Sequence, residues 1–259
     1  MDLTTLSSDL REPLDDARKS FRALSEDARA EVTRFRSLAY ANTSYRYTPR
    51  DGTAFSLRTG DVITGDTAPS HFQSEMHDAL HSRVEAPDSH VRVQGYGSVF
   101  DVGYYMADKF GPYVEVMSRK AFDASVEKGA DLRVSLLRSH AGLGLASTES
   151  KRMAVGVDDH GLAFSAALNP NETDSRDLIE KLRAGSTPSD TSIGGQIRDF
   201  TWDNDFTQVT INDWWLSRGE ISVVQIGANP AGFIMLREKS LQSKLAAIEA
   251  VRLVKHRRL

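Results

Sequence analysis

The stretch SDTSIGG, Ser189 to Gly195, holds Ser192 between a polar lead-in and a pair of glycines. A serine hydroxyl is a poor nucleophile until a base accepts its proton. His140 is the candidate base: it ends the apolar run DLRVSLLRSH and precedes AGLG, which predicts a ring held at a strand end beside a flexible loop. A third group should orient the imidazole. Glu220, in SRGEISVV, opens an otherwise apolar strand and is expected at a sheet end, while Asp190, Asp199, His160 and Asp213 are rivals on composition alone. The glycines behind Ser192 would let the backbone N–H groups of Ile193 and Gly194 approach a substrate carbonyl oxygen as it becomes an oxyanion. Each part also has an ordinary reading. Serine and threonine before Gly-Gly is a common turn composition, and a lone strand-end histidine is more often simply exposed.

Two familiar hydrolase patterns fail. The nucleophile elbow Gly-x-Ser-x-Gly has Asp190 in place of its first glycine, and a chymotrypsin-like double barrel needs a glycine before the serine and far more chain between His and Ser. The chain has no cysteine, which excludes disulfides, zinc-thiolate sites and thiol nucleophiles. His77 and His81 in HDALH have the i, i+4 spacing of metal ligands, but the glutamate of the metalloprotease motif is missing, so a solvated helix face is expected. No metal or cofactor is expected.

The elements that must position these groups show in the periodicity. From Leu6 to Leu38 apolar residues recur in steps of three and four, which predicts an amphipathic helix or a broken pair of helices within an N-terminal arm, residues 1–40. Residues 41–90 are polar and turn-rich, with room for a small hairpin and a short helix from His71 to Val84. Beyond EAPDSH the texture changes. Strands are predicted at Val91 to Val99, Tyr113 to Met117, Leu132 to Leu137, Arg152 to Val157, Leu162 to Leu168, Thr191 to Phe200, Thr207 to Ile211 and Glu220 to Ile226. Two helices interrupt them, Ser118 to Lys128 and Thr173 to Ala184, each stopped by glycine. Residues 234–259 read as a C-terminal helix with a basic last turn, which suits the helix dipole. The class is therefore α+β, a barrel or highly curved sheet over residues 91–233.

Of 259 residues 40% are hydrophobic, enough for a substantial core, and the formal charge of −4 gives no global attraction to nucleic acid or anionic membrane. The acidic N-terminus lacks the apolar core of a secretory signal, and no run approaches the ~20 residues of a membrane span. A soluble, cytosolic protein is expected, without nucleic-acid or membrane partners.

Several segments in order resemble the prohead maturation proteases of tailed bacteriophages, the HK97-type capsid proteases. They are VQGYGSVFD, SRKAFDASVEKG, LLRSHAGLGLASTES, DDHGLAFSAAL, LIEKLRAGSTPSDTSIGG and GEISVVQIGANPAG. The resemblance spans residues 91 to about 233. It implies an assemblin-like curved β-barrel ringed by helices, and serine endopeptidase action on the major capsid protein precursor and scaffold segments, and on the chain itself, inside an immature procapsid in the host cytoplasm. His140 then matches the general base, Ser192 the nucleophile and Glu220 the third member. A homodimer is implied by analogy with the assemblin group. Departures are Ala141 and Gly142 where the family usually has Asp after the histidine, Arg119 and Lys120 where Pro-Gly is usual, and Thr191 where an apolar residue is usual. The N-terminal helix, outside the resemblance, is expected to serve as a removable scaffold-like arm. The rival readings are a non-catalytic capsid assembly protein that retains the protease fold, and a general cytosolic esterase or amidase.

Overall fold

Along GLAFSAAL, Gly161–Leu168, large and small side chains alternate: Leu162, Phe164 and Leu168 point to one face, and Ala163, Ser165 and Ala167 to the other. All of its residues are buried, so the strand is covered on both sides. The large side chains enter the main core, and the small ones leave room for a helix, Ser74–Ser82, that packs Leu80 against Ala163 and Ala167. We analysed a computed structural model that describes residues 8–39, 54–56, 62–63, 74–185, 190–225, 227–229 and 231–237.

In chain order the helices are α1 (Ser8–Ala23), α2 (Glu26–Ala39), α3 (Ser74–Ser82), α4 (Asp123–Val126) and α5 (Thr173–Ala184). The strands are β1 (Ala54–Ser56), β2 (Val62–Ile63), β3 (Val91–Val99), β4 (Val102–Asp108), β5 (Gly111–Met117), β6 (Val134–Arg138), β7 (Ala141–Ser147), β8 (Met153–Val157), β9 (Gly161–Leu168), β10 (Asp190–Trp202), β11 (Gln208–Val224) and β12 (Phe233–Leu236). The protein is α+β and strand-rich. Among the described residues the strands form one open sheet in the order β2-β1-β4-β5-β11-β10-β12-β3-β9-β8, and β6 and β7 branch from β11.

β11 organises the site. It pairs antiparallel with β10 along most of its length, parallel with β5 through Gln208–Ile211, and parallel with β6 through Gly219–Val223. The strands expected at Thr207 to Ile211 and Glu220 to Ile226 are thus one strand, and β4, β7 and β12 are strands the sequence did not announce. The helix expected from Ser118 shrinks to α4, because the Ala121 carbonyl accepts the Trp214 N–H from β11 while Ala121 and Phe122 are drawn fully into the core. α5 forms where expected and ends at Gly185, whose φ of +60° is the left-handed conformation glycine tolerates.

α1 and α2, broken at Leu24 and Ser25, lie against the ends of the β4–β5 and β10–β11 hairpins. Arg36 of α2 and Asp108 of β4 form a buried two-pronged ion pair at 2.9 and 3.0 Å. The guanidinium also donates to the Phe206 carbonyl and lies 5.3 and 5.2 Å from the Tyr113 and Trp202 ring centroids. Arg22 on α1 pairs with Asp205. The C-terminal helix expected over residues 234–259 falls, beyond Arg237, outside the described residues. No helix among the described residues is long and apolar enough to cross a membrane.

Candidate active site

Ser192 lies near the start of β10 because the residue before it is anchored. Thr191 is fully buried and its hydroxyl donates to the Tyr96 carbonyl of β3 at 2.6 Å, so a polar residue at this position is satisfied inside the core. Alternation then turns Ser192 to the opposite face, where it is half-buried. Its cross-strand partner on β11 is Ser222; one step further, Gly194 stands opposite Glu220. Residues two apart share a face, so Ser192, Gly194, Glu220 and Ser222 all lie on one side of the sheet.

His140 reaches this face from a turn. Arg138 pairs with Ala141, so Ser139 and His140 are the two loop residues of the β6–β7 hairpin, with φ of +53° and +58°. That is the type I′ geometry that Asn-Gly or Gly-Gly ordinarily fills, and residues with a Cβ adopt it at a cost. The expected flexible AGLG loop is in fact the start of β7. The turn is held by β11: the Ser139 N–H donates to the Val223 carbonyl at 2.9 Å, and the His140 N–H to the Ser222 hydroxyl at 3.2 Å. Ser222 was not singled out in the sequence; a buried serine in an otherwise apolar run was its only signal.

The imidazole Nδ1 of His140 lies 2.5 Å from Glu220 Oε1. His140 remains 44% exposed and Glu220 17%, so the ring faces outward while the carboxylate is partly sheltered beneath it. With Nδ1 engaged by a carboxylate, that nitrogen carries the proton and Nε2 is left as an acceptor. Among the described residues the Ser192 hydroxyl has no hydrogen-bond partner, and its link to His140 runs through Ser222, which faces Ser192 across the ladder and holds the His140 backbone.

The glycines divide their work. A Cβ on Gly194 would sit 2.7 Å from both Cγ and Oε1 of Glu220, so this glycine makes the space the carboxylate occupies. The Gly194 carbonyl lies toward Gly219 of β11, and its N–H points the same way, into the ladder. The Thr191 N–H, by contrast, donates to Gly232 on the side away from β11. Backbone alternation therefore sends the Ile193 N–H to that same side, where β10 has a described strand partner only at Asp190.

The rival acids are placed elsewhere. Asp190 accepts the Gly227 N–H at 3.1 Å, and burial pushes its carboxyl above the ordinary range despite that bond. Asp199 and Asp213 pair with each other across β10 and β11, well along the sheet from Ser192. His160 lies in the turn before β9, beside Tyr96. His77 is fully buried, not solvated: its Nε2 lies 3.1 Å from the Gly95 carbonyl and its ring meets Tyr96 edge-on. Among the described residues no group of three or more acidic or histidine side chains could hold a metal ion.

A model of one protein family, described as the caudovirus prohead serine proteases, matches residues 79–246. No curated protein and no solved structure matches the chain.

Proposed function

Because the chain belongs to the caudovirus prohead serine protease family, we propose that it cleaves the major capsid protein precursor and scaffold segments, and itself, during procapsid maturation, with Ser192 as nucleophile, His140 as general base and Glu220 as the group that orients the imidazole. The family places its activity within the viral procapsid. The observation that carries the residue assignment is the 2.5 Å contact between His140 Nδ1 and Glu220 Oε1 on the sheet face that also bears Ser192.

In this reading the Ser192 Oγ attacks the scissile carbonyl carbon as its proton passes to His140 Nε2. Glu220 stabilises the imidazolium that forms. The Ile193 N–H, directed away from β11, donates to the tetrahedral oxyanion; the Gly194 N–H, expected in the same role, faces the ladder instead. Collapse of the intermediate breaks the C–N bond, with His140 returning the proton to the leaving amine. Water, deprotonated by the same imidazole, then releases the acyl group and restores Ser192. The Ser192–His140 hydrogen bond forms when substrate fills the site, since catalytic hydrogen bonds commonly tighten only in the substrate complex. An assemblin-like barrel built on this open, strand-rich sheet, and a homodimer, are part of the same proposal.

Intact-mass spectrometry of the protein and its Ser192→Ala variant, each alone and with capsid precursor, tests this. Fragments from the native form only are expected. Unchanged masses in both, with assembled shells present, would overturn it in favour of a non-catalytic assembly role.

A further inference from the structure

Next to the proposed triad, β11 departs from its ladder. Gln196 pairs with Trp215 and Gly194 with Glu220, so Leu216, Ser217, Arg218 and Gly219 all stand opposite Gly195. The excursion is held in place: Leu216 is buried and its N–H donates to the Ser125 hydroxyl at 2.8 Å, while the Arg218 N–H donates to the Arg133 carbonyl at 2.6 Å. Arg218 itself has φ +66°, a conformation that persists for such a residue only where the surroundings impose it.

Two adjoining hollows result. One, of about 630 Å³, reaches Gly194 and Glu220; the other, of about 390 Å³, lies over Lys128, Asp131 and Arg133. Trp215, Ser217 and Arg218 line both. The Trp215 ring carries two cations, the Arg198 guanidinium at 3.5 Å from its centroid and the Lys128 ammonium at 4.7 Å. Lys128, Arg133, Arg198 and Arg218 thus collect around one aromatic ring, against Asp131 and Glu220 in the lining, the latter already engaged with His140, and Glu149, which pairs with Arg133 at 3.6 Å. The whole chain carries a formal charge of −4, so this concentration of positive charge is local to the cleft. Among the described residues the Arg218 side chain has no ion-pair partner.

At ~3.3 Å per residue, Gly194 and Gln196 lie roughly 7 and 13 Å along β10 from Ser192. An extended substrate on this face would bring the side chains two to four residues from its scissile bond over the cleft. We propose that the Trp215–Arg218 cleft is a substrate subsite for a glutamate or aspartate side chain, its carboxylate held by Arg218 and Arg198. This rests on the proteolytic reading of Ser192. Arginine suits the role because its planar fork matches a carboxylate and stacks on an aromatic ring.

The test is fluorescence anisotropy on the full-length Ser192→Ala chain, with a labelled glutamate-rich peptide and its glutamine counterpart, at low and physiological ionic strength. The glutamate peptide is expected to bind about tenfold more tightly, a preference charge-assisted hydrogen bonds readily supply. Arg218→Gln and Arg198→Gln should each erase most of it, and the remote Lys151→Gln should leave it intact. Equal affinity for the two peptides, or a preference that survives both arginine substitutions, overturns the proposal. So does a single-stranded oligonucleotide that displaces the glutamate peptide at lower concentration than unlabelled peptide, which would make the cleft a nucleic-acid site. Because the readout is binding to a variant without the Ser192 hydroxyl, it is separate from catalysis. A native chain that never cleaves while keeping the glutamate preference would sink the proteolytic reading and leave the acidic-peptide site standing.

Discussion

His140 Nδ1 and Glu220 Oε1 meet at 2.5 Å although 80 positions separate them in the chain. The contact depends on the parallel pairing of β6 with β11, which places Arg138 beside Val223 and so brings the following turn over Glu220. It fixes which imidazole nitrogen is free, and that determines whether the ring can serve Ser192 as a base.

Glu220→Gln should lower kcat for precursor cleavage by roughly 10²–10⁴-fold, with little change in KM or melting temperature, because the neutral amide can bind Nδ1 in the wrong tautomer and cannot stabilise an imidazolium. Steady-state kinetics on purified precursor measures it. A variant with native kcat would remove Glu220 from the mechanism.

Gly194→Ala is expected to act on the same contact from the other side. The added methyl would occupy space within 2.7 Å of the Glu220 carboxylate, and the carboxylate, as the end of a side chain, is the part that yields. Activity should fall by about 10²-fold, the scale a misplaced catalytic group produces, while circular dichroism stays native. Loss of fold in step with loss of activity would contradict this division.

Arg36→Ala should cost about 3–5 kcal/mol in urea unfolding, since Asp108 would be left buried and uncompensated. Replacing both, with Arg36→Met and Asp108→Leu, should recover much of that loss. If the double variant is as unstable as the single, packing of Arg36 on Tyr113 and Trp202 matters more than its charge.

Asp190 contributes one component of the pH dependence of stability. Burial raises its folded-state carboxyl above the unfolded value, so the native protein holds this proton to higher pH than the unfolded chain does. Its contribution to stability is fully present below the unfolded pKa and declines as pH rises through the folded one. Asp190→Asn, which keeps an acceptor for the Gly227 N–H, should escape that decline, so its melting-temperature advantage should grow as pH rises above the unfolded carboxyl value and level off once the folded carboxyl has titrated. An advantage that does not vary with pH would rule out Asp190 as the source.

Much of this was legible in the sequence where local pattern and tertiary demand agree. α5 shows its helical period and its glycine stop, and β9 shows an apolar run of strand length. The site residues could be singled out by type and setting, but not their contacts: composition left five candidates for the group beside His140, and only the β6–β11 register brings Glu220 to it. β7 was missed because AGLG reads as a loop; pairing of Leu136 with Ala146 and Ser135 with Ser147 makes it a strand. The turn at Ser139 and His140 was missed because it lacks the Asn-Gly signature of its type. β11 reads as two strands in the sequence because polar residues between Ile211 and Glu220 interrupt the apolar pattern, whereas the strand runs through them with a break in its ladder opposite Gly195.

That interruption has a consequence for how such a chain can diverge. The registers of β11 with β5 and with β6 are set on opposite sides of residues 216–218, so neither depends on how many residues the excursion contains there. Insertions, deletions or charge reversals there would redraw the cleft beside Trp215 without shifting Glu220 against Gly194 or His140. On the proposed reading, substrate preference would drift in step with a changing shell protein while Ser192, His140 and Glu220 keep their places.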